Sequence, residues 1–133
     1  MKKKHVDSLN RIAGLASRMR ELGRLRLTAL EQEQATLSDD LRAAFEALAR
    51  DDFAYGAAAK LGARRIRSLQ RRIDALEHES ERAERAAQAH AIRAKLADKV
   101  AGTAEQAYRE REARRELAEL VERTLLKRNA SHG

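Results

Sequence analysis

Four histidines, His5, His78, His90 and His132, are the side chains here best placed to exchange protons or bind a metal near neutral pH. His78 stands three residues before Glu81, so on a helix the two share a face and could grip a divalent cation between them. Two donors make an incomplete shell, and a chain that is 37% charged brings such pairs together by composition alone. Neither a metal nor any other cofactor is expected. No serine, histidine and acid are spaced to build a nucleophile, and no glycine-rich loop resembles a phosphate cradle. The absence of cysteine removes disulfides, thiolate chemistry and cysteine-ligated zinc. The expected protein is not an enzyme.

Contact chemistry has better candidates. Arg64, Arg67 and Arg71 fall on one helical face, with Arg65 and Arg72 beside them. Guanidinium groups in such a row can make two-pronged contacts with carboxylates or phosphates, although a solvated charged face is the plainer reading. No aromatic residue interleaves with these arginines and no helix-turn-helix or zinc-finger pattern occurs, so specific nucleic-acid recognition is not expected. Phe53 and Tyr55 are half of the aromatic residues in the chain. They either staple a turn or form an exposed contact patch. Phe45 and Tyr108 read as packing residues.

The elements that must position these groups are helices. The 133 residues contain no proline, only 3% aromatics and a large share of alanine, the best helix former and a poor builder of thick cores. Leu9, Ile12, Ala16 and Met19, widened by Leu15 and Leu22, recur three or four apart. Leu30, Leu37, Leu41, Ala44 and Leu48 continue the stripe after a change of phase near Arg26, which reads as a stutter. A second run carries Ile66, Leu69, Ile73 and Leu76, thins into Ala83, Ala87, Ala94, Ala97, Ala101 and Ala104, and regains bulk at Leu117, Val121, Leu125 and Leu126. Small residues in such a seam let helix axes approach closely. Glu81–Arg85, Glu105–Arg109, Glu110–Arg114 and Glu119–Arg123 have the four-residue spacing of helical ion pairs.

Between the runs lies RDDFAYGAAAKLGARR, residues 50–65, with an aspartate fit to cap a helix and two glycines. A turn here yields an all-α fold, two long helices forming an antiparallel coiled-coil hairpin. The expected single coiled-coil domain, 1–133, has a first helix over about 4–50, a turn within 51–62, a second helix over about 63–128 and a frayed tail at 129–133. Leu37, Leu41, Leu48, Ile66, Leu69, Ile73, Leu76, Leu117 and Val121 form its seam. A continuous rod is the alternative, because AAAKL can itself carry a helix across. Met1-Lys2-Lys3-Lys4 has the charge of an export signal, but the following residues lack its apolar run, and no segment could span a bilayer. A cytoplasmic protein is expected.

The net charge of +7 favours an acidic partner, a nucleic acid or an anionic surface without choosing among them, so a structural or dimerising coiled-coil adaptor and a basic nucleic-acid-associated helical protein both stand as alternative functions. RAKLADKVAGTAEQAYREREARRELAELVERTLLKR, residues 93–128, is similar to the C-terminal helix of the FliJ/YscO family of flagellar and type III secretion export stalk proteins. RLRLTALEQEQATL, residues 24–37, resembles that family's first helix. The resemblance covers nearly the whole length and implies a central stalk that inserts into and regulates a hexameric export ATPase and links it to an export gate membrane protein, with a role toward export chaperones. By position in the hairpin, Lys2, Lys3, Lys4, Lys127 and Arg128 would meet the ATPase. Phe53, Tyr55, Arg64 and Arg65 would face the gate.

Overall fold

A computed structural model describes residues 2–50 and 56–132, and they form two long helices, α1 (Lys3–Arg50) and α2 (Ala57–His132), packed against each other. No strand occurs among the described residues. At 1.5 Å per residue the helices are about 70 and 115 Å long. No helix is long and apolar enough to cross a membrane.

Each helix starts where the backbone permits. The N–H groups of His5 and Val6 donate to the Lys2 carbonyl at 3.0 and 3.3 Å, closing the first turn of α1. At the head of α2, Gly56 has φ +100° and its carbonyl accepts the Lys60 N–H at 3.2 Å. That φ is open to glycine and strained for any residue with a Cβ. Helix 2 therefore begins six residues earlier than the sequence suggests, because Ala57–Ala58–Ala59 propagates the helix directly after Gly56. Gly62, expected in the turn, lies inside α2, where an added Cβ would come within 3.1 Å of Leu48 Cδ1. The proposed cap at Asp51 or Asp52, and Phe53 and Tyr55, lie outside the described residues. The tail expected to fray is helical to His132, and Ser131 Oγ donates to the Lys127 carbonyl at 2.9 Å.

The contacts divide the chain into two compact units, residues 1–18 with 92–133, and residues 19–91. In the second unit α1 buries or half-buries Arg20, Gly23, Leu27, Leu30, Gln34, Leu37, Leu41, Ala44 and Leu48. Against them α2 sets Ile66, Leu69, Ile73, Leu76, Ser80, Ala83, Ala87 and His90, with Leu76 fully enclosed. Of the residues expected in the seam, Ile66 and Leu76 are buried and Leu37, Leu41, Leu48, Leu69 and Ile73 half-buried. Gly23 admits the other helix closely: a Cβ there would stand 3.5 Å from Ala87 Cα and 3.6 Å from His90 Cδ2. Two ion pairs bridge the helices, Arg26–Glu79 at 2.5 Å and Arg72–Glu33 at 2.6 Å. The Glu33 hydrogen bond, then its charge, hold the Arg72 guanidinium above its ordinary pKa. Arg20 Nε and Ser80 Oγ are buried without a hydrogen-bond partner among the described residues.

The first unit has a core of small residues: Val6 and Ala13 of α1 pack with Ala94, Ala101 and Ala104 of α2. The alanine seam expected there is present.

Along α1 one series of buried and half-buried positions runs from Val6 to Leu48 in alternating steps of three and four without a break. There is no stutter at Arg26. The apparent phase change comes from counting Ile12, Leu15, Met19 and Leu22, all exposed, as seam residues. Arg20, Gly23 and Gln34 hold the true seam positions, and their polarity or lack of a side chain hides the register.

Candidate partner-binding surfaces

The first unit contains α2 from Ile92 onward but only the first turns of α1. Lys2 and Lys3, at the start of α1, border a depression with Tyr108, Arg111, Glu112 and Arg115. Every residue of α2 from Ala113 to Ser131 is exposed. Leu117 and Val121, expected in the intrachain seam, are 61% and 51% exposed. The described residues of α1 cover α2 only to about Glu112, and Leu117 and Val121 lie beyond that level. Leu117, Leu120, Val121, Thr124 and Leu125 form an apolar strip on this overhang, and Arg114, Arg115, Leu117, Ala118, Val121 and Leu125 line a shallow depression along it. Four ion pairs within α2, Glu110–Arg114, Glu112–Arg115, Arg115–Glu119 and Glu119–Arg123, lace its charged side at 3.6–3.9 Å. Glu105–Arg109 closes at 2.7 Å.

The expected basic cluster is not brought together. Lys2, Lys3 and Lys4 lie near the level of Glu112, whereas Lys127 and Arg128 stand some fifteen residues farther along α2, about 22 Å at the helical rise. Like charges separate rather than gather, and the intervening overhang is the more distinctive surface. All five are exposed.

In the second unit, Arg64 and Arg65 are exposed. Arg65 lines a depression with Asp40, Ala43, Ala44, Ala47, Leu48, Ala58 and Gly62. Phe45, read as a packing residue, is half exposed, whereas Tyr108 is half buried. Arg64, Arg67 and Arg71 remain a solvated row, while Arg72 turns to Glu33. His78 and Glu81 are exposed, and among the described residues no three His, Asp or Glu groups cluster as metal donors.

The sequence reading missed a second surface. Ile12 and Leu15 of α1 and Ile92, Leu96 and Val100 of α2 are exposed in the first unit. Between the helices there, His5, Leu9, Val100, Thr103, Ala104 and Ala107 line an apolar groove of about 390 Å³. The signal was present as a doubled apolar pattern, Leu9–Ala13–Ala16 beside Ile12–Leu15–Met19, which periodicity alone merges into one wide stripe. No protein-family model, curated protein or solved structure matches the chain.

Proposed function

We propose that the chain is a non-enzymatic stalk of a flagellar or type III protein export apparatus, an antiparallel coiled-coil hairpin that enters a hexameric export ATPase and regulates it. The observation that carries this reading is the α2 overhang. A single stiff helix with an apolar strip, extending beyond its shorter companion, suits insertion into the central channel of a ring. The antiparallel arrangement is supported by the bridging ion pairs: seven residues on from Arg26 along α1 is Glu33, and seven back from Glu79 along α2 is Arg72. The unbroken heptads of both helices support a coiled coil. In this reading Lys2, Lys3, Lys4, Lys127 and Arg128 give the ring-facing end a positive charge suited to acidic channel walls. Arg64 and Arg65, with Phe53 and Tyr55, face the export gate, and the protein works at the cytoplasmic side of the membrane with export chaperones as further clients.

The overhang also favours a second reading, a structural coiled coil that pairs copies of itself through Leu117, Val121 and Leu125. One experiment separates the two. The purified chain is mixed with an export ATPase, and ATP hydrolysis is followed together with sedimentation of the chain alone. Stimulated hydrolysis that is lost in Leu117→Asp/Val121→Asp, with helicity retained, supports the stalk. A stable dimer that leaves the hydrolysis rate untouched refutes it.

A further inference from the structure

The groove on the first unit has the form of a seat for one more helix. Its walls come from both helices, His5 and Leu9 on one side and Val100, Thr103 and Ala107 on the other, with Ala104 in its floor. Successive residues of an α-helix are 100° apart, so Ile12 extends the α1 wall along the face of His5 and Leu9, and Leu96 and Ile92 extend the α2 wall. The α2 row ends at Glu110. Ile12, Ile92, Leu96 and Val100, all exposed, therefore border one channel between the two helices, while Leu15 stands with Lys4 on the outer side of the α1 wall.

The charges along its borders indicate the occupant. On the outer side of the α1 wall stand Lys4, Arg11 and Arg18, and on the outer side of the α2 wall Lys95 and Lys99, the last of which also lines the groove. Asp7 and Asp98 lie farther round their helices, away from it. A second copy meeting this groove with its own groove would set these cations against their own equivalents in a protein already carrying a net charge of +7. An apolar stripe flanked by carboxylates would neutralise both borders while filling the channel. We infer that this face binds an amphipathic helix of a different protein, with leucine-like residues on its buried stripe and aspartate or glutamate along both edges. The inference rests on the first unit's own geometry and is independent of the stalk assignment.

The test uses two designed peptides of about 21 residues, long enough to span Ile92–Ala107. Both carry leucine at heptad positions a and d; one has glutamate at the flanking positions, its twin has lysine. Binding to the full chain is read by fluorescence anisotropy. The glutamate peptide is expected to bind in the micromolar range and the lysine twin at least about tenfold more weakly. Leu96→Asn, at a residue already 58% exposed, should weaken the glutamate peptide about tenfold while the circular dichroism spectrum stays unchanged. Lys95→Glu/Lys99→Glu should reverse the preference between the peptides. Equal binding of the two peptides, or binding of neither, overturns the proposal. So does sedimentation showing that the chain dimerises and that Leu96→Asn abolishes the dimer, which would make a second copy the occupant.

Discussion

Replacing Leu76 by alanine, and separately replacing Leu117 by alanine, makes the same chemical change at two positions that look equivalent in the sequence. Leu76 is fully enclosed in the second unit and Leu117 is 61% exposed on the overhang. Losing about three methylene equivalents from a buried site forfeits roughly 2.4 kcal/mol of transfer free energy, at about 0.8 kcal/mol each. The cavity left behind adds up to about 1.5 kcal/mol, less where the two helices can settle together. A loss of about 2.5–4 kcal/mol is expected for Leu76→Ala. For Leu117→Ala the transfer loss is small and alanine's helix propensity is slightly better, so the expected change is within about 0.5 kcal/mol. Urea titrations followed at 222 nm, with the two variants and the parent at one protein concentration, measure both. Since domains of this size hold only about 0.05–0.15 kcal/mol per residue, the first shift should be a large fraction of the total stability. Equal losses at the two sites would refute the assignment of Leu117 to an uncovered surface, and a negligible loss at Leu76 would refute the seam.

Gly56→Ala should destabilise by about 1–2 kcal/mol because φ +100° is strained for any side chain, while Gly14→Ala, with open space around its Cβ, should stabilise by about 1 kcal/mol; thermal melts of both would show the opposite signs. Ser80→Ala removes a buried hydroxyl that has no partner and replaces it with a better helix former, so the urea midpoint should rise by the equivalent of about 1 kcal/mol. A double-mutant cycle on Arg26 and Glu79, half-exposed partners, should give a coupling below about 1 kcal/mol that shrinks between 0.05 and about 0.5 M salt. A coupling insensitive to salt would mean that the pair is shielded from solvent.

Much of the fold was legible because helices announce themselves locally. The run Ile66, Leu69, Ile73, Leu76 has one apolar register and no competitor, and those residues pack as expected. Helix 1 was harder at its start. There two apolar registers lie side by side, and the seam is carried partly by Arg20 and Gly23, residues that no hydrophobicity count would choose. The candidate site followed the same division. Lys2, Lys3, Lys4, Lys127 and Arg128 were identifiable as charge, but their separation along α2 depends on where α1 starts against it. The groove beside Val100 left only a doubled apolar pattern in the sequence, because a residue's exposure on one helix is fixed by a distant segment of chain.

Composition by itself determined that the chain is helical: without proline and rich in alanine, its backbone hydrogen bonds close most cheaply within each helix. Gly56 was already marked as a place where the backbone could turn. Which apolar stripe is buried and which is left for a partner was decided only by the packing of one helix on the other, because burial belongs to a pair of surfaces and a single helix specifies only its own. The same reason leaves Leu76 enclosed and Leu117 open, although their side chains are identical.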